Sequence, residues 1–207
     1  MFITGIVWPV YMPKGLKDTS GMIVISVGLG ESAANTFTQS EVDLQLNVLD
    51  REVFVVTAID CNIDPPELDA AGGDSDSIGS LSTTSRTTVG SIADNNVLAV
   101  SRRSIEASAG LGAAVSFDTQ ANESPATQLE YMGIIATNNF FLQVQGIGNV
   151  NPKNAQFRMW GYRAQASADI YAALVQSELL SAWGVPSGPH SRKVVRAKLD
   201  RWKSPTC

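Results

Sequence analysis

Apolar side chains recur at every second position in much of this chain, and this spacing strongly limits what it can fold into. In the segment 42–48, apolar residues alternate with polar ones, and the apolar positions are Val42, Leu44, Leu46 and Val48. Successive side chains of a strand point to opposite faces, so the segment predicts a strand with one buried and one hydrated face. Residues 53–59 form a continuous, largely β-branched run, which predicts a strand buried on both faces.

Other short apolar segments have the same character and are separated by turn-forming residues. They predict strands over residues 2–8, 22–27, 97–102, 113–117, 129–137, 140–145 and 155–163. Gly, Asn and Pro are concentrated between the last two, in 146–154, which predicts a hairpin connection. A series of about nine short strands predicts an all-β fold, either a jelly-roll or a related antiparallel β-sandwich.

Residues 62–96 interrupt this rhythm, because they are rich in Ser, Thr, Asp, Gly and Pro and show no clear apolar period. The composition predicts a long connection, in which 83–89 pairs at most as an edge strand. Its carboxylates form either a solvated acidic loop or an oxygen-rich site for a structural ion, although the EF-hand pattern fails at Ile78 and Ser85. The carboxylates are those of Asp64, Glu67, Asp69, Asp74 and Asp76.

Residues 167–183 are the one segment with convincing helical spacing. Ser167 suits the N-cap, and Asp169 suits the positive end of the helix dipole. Gly184 and Pro186 then end the helix. An apolar stripe runs along one face through Tyr171, Leu174, Val175, Leu179 and Ala182.

The charge of the chain is segregated. The last 17 residues carry a net charge of +5, whereas residues 1–190 carry −10. Such a tail favours phosphate or an acidic protein surface as its partner. The six cations are Arg192, Lys193, Arg196, Lys198, Arg201 and Lys203.

Val195, Leu199 and Trp202 recur within the basic tail at the spacing of one helix face. This spacing predicts a short amphipathic basic helix, and its cations are candidates for non-specific contact with nucleic acid. The three apolar residues are candidates for docking into a neighbouring subunit. Packing against the acidic body of the same chain and binding to an anionic membrane surface remain alternatives.

Catalytic side chains are scarce. His190 is the only histidine, and it stands in a predicted hinge, where no rigid scaffold would position it as a general base. Cys61 and Cys207 are the only cysteines, too few for a zinc site or a disulfide framework. Residues 28–33 match a dinucleotide fingerprint, but no helix pattern follows them. We expect no enzymatic activity, no cofactor and no metal.

Charged residues make up 17% of the chain, below the roughly 25% of an average protein. This composition suits closely packed assemblies better than a freely diffusing enzyme. The N-terminus lacks the positive start of a secretory signal, and no segment has the length of a membrane span.

The chain resembles a viral coat protein of the single jelly-roll type in three features. These are the series of short strands, the long Ser/Thr/Asp-rich connection between the strands near 52–59 and 94–100, and the closing hairpin 139–162 followed by a helical arm. This resemblance implies a capsid subunit that self-assembles into a large shell in the host cell and resides in the virion. Coat proteins of this type often have a basic arm at the N-terminus. This chain departs from that pattern, because its N-terminus is apolar and its basic arm is C-terminal.

We therefore expect three parts: an apolar N-terminal arm or edge strand (1–20), a β-sandwich (21–166), and a C-terminal helix with the basic tail (167–207). Two other functions remain open. One is a carbohydrate- or ligand-binding sandwich lined by aromatic residues, and the other is a hydrolase that uses carboxylates. The aromatic residues are Trp8, Tyr11, Tyr131, Trp160 and Tyr162.

Overall fold

The computed structural model describes residues 13–68, 72–107, 114–119, 122–123 and 130–182. Within these ranges the chain forms eleven strands, a 3-10 turn at Val48–Asp50 and one helix, α1, at Ala168–Ala182. The strands are β1 (Leu16–Asp18), β2 (Ile23–Gly30), β3 (Thr38–Asp43), β4 (Glu52–Ile63), β5 (Ser75–Ser82), β6 (Val97–Ala107), β7 (Ala114–Thr119), β8 (Asn122–Glu123), β9 (Gly133–Ile135), β10 (Asn139–Ile147) and β11 (Asn154–Ala166).

These strands form two antiparallel sheets. In the first sheet the order is β2–β11–β4–β9, with β1 beside the far end of β11 and β8 beside β4. In the second sheet the order is β3–β10–β5–β6–β7. If β1, β7 and β8 are set aside and the eight remaining strands are renumbered 1 to 8 in chain order, the first sheet has the order 1-8-3-6 and the second has the order 2-7-4-5. That winding is a jelly roll, so the all-β sandwich predicted from the sequence is confirmed.

The core lies between the two sheets, and β4 supplies a large part of it. Phe54 and Val56 point into the core, but further along the strand Ile59, Cys61 and Ile63 do so. This change of phase results from a β-bulge, because Trp160 lies opposite Ala58 and Gly161 lies opposite Val56. The extra residue in β4 moves the side-chain alternation by one position.

The other face of β4 is also buried near its start, as predicted from the continuous apolar run. Val53 and Val55 point away from the core and form a second apolar cluster with Ala164 and Ala166 of β11. Helix α1 covers this cluster with Ile170, Tyr171, Leu174 and Val175. The helix therefore begins and packs as the sequence predicts, except that Leu179 is 55% exposed and Glu178 is buried instead.

The prediction of a strand over 42–48 is wrong beyond Asp43, where β3 ends. Gln45 has a positive φ of 52°, which a strand does not tolerate. Leu44 and Leu46 are nevertheless buried, since the backbone N–H of Leu44 donates to the carbonyl oxygen of Asn138 and that of Leu46 to its side-chain oxygen. Alternating burial thus persists in a segment that has left the sheet.

The expectation of one long connection over 62–96 is also wrong, because this segment contains β5, an interior strand of the second sheet. Five of its eight residues are Ser or Gly, so it lacks the apolar alternation that marks a strand. Gly79 allows close packing there, since a Cβ would lie 2.9 Å from Cδ1 of Ile63 and 3.3 Å from the ring of Phe157. The possible edge strand over 83–89 does not form.

Two further differences concern strand length and number. Of the predicted strand 129–137, only β9 forms within the described residues, and the short β1 was not predicted. The predicted strand 2–8 lies outside the described residues.

Candidate functional site

All nine predicted tail residues lie outside the described residues. They are the six cations Arg192, Lys193, Arg196, Lys198, Arg201 and Lys203 and the docking residues Val195, Leu199 and Trp202. Their roles in binding nucleic acid or a neighbouring subunit remain predictions. The candidate surfaces within the described residues all belong to the body of the protein.

One end of the sandwich is held together by a buried carboxylate. Glu31 follows β2 and is 8% exposed. Its Oε1 accepts the backbone N–H groups of Thr36 at 3.0 Å and Gly146 at 2.6 Å, and its Oε2 accepts that of Lys153 at 2.8 Å. The connection from β2 to β3 is thereby fixed to the β10–β11 hairpin.

A second carboxylate joins the connection after β4 to the same hairpin. Glu67 accepts hydrogen bonds from the backbone of Val150 at 2.8 Å, the side chain of Asn151 at 2.8 Å and Lys153 Nζ at 3.0 Å. These contacts, with the Asn151 side chain contributing most and Lys153 next, lower the pKa of Glu67 to about 2. At the same end of the sandwich, Asn149 of the hairpin exchanges two hydrogen bonds with Asn35 of the connection from β2 to β3.

Several acidic residues considered as ion ligands are therefore engaged by donors of the protein. Asp64 accepts from both nitrogens of Asn154, Asp76 pairs with Arg102 at 2.8 Å, and the backbone N–H of Ala107 donates to Asp74. Asp69 lies outside the described residues. Within the part of the chain that the structure describes, His, Cys, Asp and Glu side chains form no group of three or more that could hold a metal ion.

The outer face of the second sheet is covered by the connection between β5 and β6. Gln143 of β10 is fully buried and bonds Ser80 at 2.8 Å and Ser82 at 2.8 Å. The backbone of Gly90 then donates to Ser80 at 2.9 Å. Arg86 anchors the same connection through an ion pair of 2.7 Å with Asp94. The Ser/Thr-rich sequence thus serves as a hydrogen-bonded cover.

Strand β7 is the most exposed element of the second sheet, because all six of its residues are exposed. Val115 is 53% exposed and Phe117 is 51% exposed, and both point to the same face of the strand. Among the described residues, β7 pairs only with β6, so its second edge has no strand partner. An edge of this kind is a template for pairing with another chain.

The outer face of the first sheet is divided into two halves. Helix α1 covers one half, and the other contains an open groove of about 430 Å³. Exposed polar side chains of three adjacent strands line it: Ser26, Asp60, Asn62, Gln156 and Arg158. Arg158 also lies 5.9 Å from the ring centroid of Trp160.

A neighbouring groove of about 400 Å³ contains Asp18, Met22, Glu130 and Tyr162. Burial raises the pKa of Tyr162, and the charges of Asp18 and Glu130 add to this effect. Two of the predicted aromatic residues, Trp160 and Tyr162, therefore lie on the outer side of β11 beside grooves. Trp8 and Tyr11 lie outside the described residues.

Cys61 is buried, as expected for a small core side chain, and burial raises its pKa to about 12. His190 and Cys207 lie outside the described residues. In the described part of the chain, no helix is long and apolar enough to cross a membrane.

No family model matches the chain, and no curated protein matches it. The solved structures that match it include two from viruses. One is Merkel cell polyomavirus VP1, described as an unassembled pentamer, with 5% identity and a TM-score of 0.36 over 72% of this chain and 98% of that chain. The other is Desmodium yellow mottle tymovirus, with 10% identity and a TM-score of 0.31 over 78% of this chain and 95% of that chain. The jelly-roll assignment follows from the strand order.

Proposed function

We propose that this chain is a structural subunit that assembles with copies of itself into a viral capsid shell. The observation that carries the proposal is the edge of β7 that pairs with no other strand among the described residues, with Val115 and Phe117 exposed beside it. Jelly rolls build viral capsids and also lectins, so the fold alone does not decide between them. An apolar edge strand favours assembly, because monomeric proteins usually protect such edges.

The first test is the size of the purified protein, measured by light scattering and negative-stain imaging. A shell subunit forms large, regular particles, whereas a lectin or a hydrolase remains a small oligomer. Finding only monomers or small oligomers under all assembly conditions would refute the proposal.

The role of β7 is tested by Phe117→Lys, with Ser116→Lys as a matched control on the opposite face of the same strand. Both residues are exposed, so neither change disturbs the core. Phe117→Lys is expected to block particle formation, because a charge at an apolar contact is costly to bury. Equal assembly of the two variants would exclude this face of β7 as a contact.

The N-terminal segment 1–12 and the exposed side of α1 are proposed as further subunit contacts. The segment is strongly apolar, and Leu179 and Leu180 of α1 are 55% and 65% exposed. Deletion of residues 1–12 should therefore reduce assembly. Normal assembly of the truncated protein would assign the segment to the core.

The basic tail is proposed to contact the packaged genome without reading its sequence. Each phosphate neutralised contributes about 0.7–0.9 to the slope of log affinity against log salt. Changing the six tail cations to Gln should remove nucleic acid from the particles and leave the body folded. Wild-type nucleic acid content in that variant would instead assign the tail to subunit docking through Leu199 and Trp202.

A saccharide-binding sandwich is the second candidate, and the polar groove of the first sheet favours it. Asp60, Asn62 and Gln156 line this groove on adjacent strands together with Arg158, which lies 5.9 Å from the ring centroid of Trp160. Polar side chains near an aromatic ring suit a sugar. A glycan array probed with the purified protein tests this, with Asp60→Asn as the site variant. Binding lost in that variant, in a protein that forms no particles, would favour this function over the capsid.

We infer that the chain is not an enzyme. Asp18 and Glu130 both line the groove of about 400 Å³ beside Tyr162, but both side chains are exposed, whereas the general acid of a glycosidase is usually held in a buried pocket. Glycosidase turnover abolished by Glu130→Gln would overturn this inference.

A further inference from the structure

Glu178 is a buried acid in the C-terminal half of α1. It is 8% exposed, and its Oε1 accepts the backbone N–H of Ala136 at 3.0 Å. Its Oε2 is closed off from solvent and makes no hydrogen bond to the described residues. A charged carboxylate with an unsatisfied buried oxygen is costly, so this position suits the neutral acid better than the anion.

Among the residues that the structure describes, the lining around Glu178 supplies no charge to compensate an anion. A cavity of about 220 Å³ next to it is lined by uncharged side chains, among them Thr83, Asn95, Asn96, Leu98, Met132 and Leu174. Burial raises the pKa of Glu178, opposed by the N–H of Ala136 and by Thr137.

The ionisable residues on the elements around this cavity do not alter that balance. Asp94 is held in its ion pair with Arg86, and Glu130 and Tyr131 are exposed before β9. On α1 itself, Asp169 and Tyr171 lie about two turns or more towards the N-terminus. None of these ionisable residues is among the groups that shift the pKa of Glu178.

Glu178 also occupies a weak point in the packing of α1. The apolar contacts of the helix with the sheet end at Leu174 and Val175. Beyond them, Glu178 is the only buried side chain among the α1 side chains that the structure describes, and Leu179 and Leu180 point outward. The attachment of the last helical turns therefore depends on whether one acid can remain buried.

We propose that Glu178 is a proton-controlled latch, which holds the C-terminal half of α1 on the sandwich when protonated and releases it when ionised. The docked state has the higher pKa, so docking is strongest below the ordinary pKa of 4.5 and weakens as the pH rises towards the pKa of the docked state. Within that window, one proton is lost on undocking, and the docking equilibrium changes by about tenfold per pH unit. The latch does not depend on the proposed capsid function.

The test is hydrogen exchange of the amides in residues 175–182 of the full chain between pH 4.5 and 8, after correction for the intrinsic pH dependence. The wild type should lose protection in this segment as the pH rises, by about tenfold per pH unit within the window, while residues 53–56 of β4 remain protected. Glu178→Gln keeps the acceptor for Ala136 and cannot ionise, so its protection should not change with pH. Glu106→Gln, at an exposed position of β6, is the matched control and should behave as the wild type.

Constant protection of the wild-type segment across this range would overturn the proposal, and this result needs no variant. The same pH dependence in Glu178→Gln would also overturn it, because another group would then be responsible. Parallel loss of protection in β4 would show global unfolding in place of helix release, and would equally refute the latch.

Discussion

Replacement of Glu31 by Gln should destabilise the whole sandwich, because three backbone donors converge on this one buried carboxylate. Gln retains a single acceptor oxygen, which can serve Thr36 and Gly146 in the place of Oε1. Its amide group then faces the N–H of Lys153, so that a buried donor loses its acceptor.

The magnitude follows from the lost contacts. A hydrogen bond to a charged group contributes about 1.5–3 kcal/mol, and a buried unsatisfied donor costs about 1–3 kcal/mol. These two effects describe the same Lys153 contact and overlap. With the weakening of the other two bonds, the free energy of unfolding should fall by about 2–4 kcal/mol.

Urea unfolding followed by tryptophan fluorescence measures this change. The matched control is Glu106→Gln, an exposed residue that should alter stability by no more than about 0.5 kcal/mol. If Glu31→Gln differed from this control by less than about 0.5 kcal/mol, the three hydrogen bonds would not hold the loop end together, and the reasoning would be refuted.

Three further predictions follow from single positions. Because the pKa of Glu67 is lowered to about 2, the stability that its carboxylate contributes is complete above pH 4.5 and is lost as the pH falls towards 2. The free energy of unfolding, measured from pH 2 to 6, should lack this pH-dependent loss in Glu67→Gln. Identical profiles for the variant and the wild type would contradict the role of Glu67. Gly161→Ala should lower the free energy of unfolding by about 1–3 kcal/mol, since the new Cβ would lie 2.4 Å from the carbonyl oxygen of Val55 and 2.4 Å from the ring of Phe54. Thermal unfolding measures this change, and an unchanged melting temperature would show that β11 moves freely at the bulge. In a Cys207→Ser background, Cys61 should resist iodoacetamide at pH 8 until the protein unfolds, because its pKa is about 12 and it is buried; rapid labelling of the folded protein would show that the core opens.

The sequence by itself determined the fold class and most of the elements. Alternation of apolar residues identified β2, β6, β10 and β11, and the continuous run at 53–59 correctly predicted a strand buried on both faces. Helical spacing identified α1. These predictions succeed because side-chain direction along a strand or helix is a local property of the backbone.

Only the tertiary structure revealed β5, the two buried glutamates Glu31 and Glu178, and the hydrogen-bonded, partly exposed Glu67. A strand of Ser and Gly has no apolar pattern, and β5 forms because β10 and β6 supply hydrogen bonds on both of its sides. From the sequence alone, a glutamate is expected at the surface. The hydrogen-bond donors that allow Glu31 and Glu178 to be buried are distant in the chain, since Gly146 lies 115 residues from Glu31 and Ala136 lies 42 residues from Glu178. Local pattern cannot encode such contacts, since they exist only after the strands have been brought together.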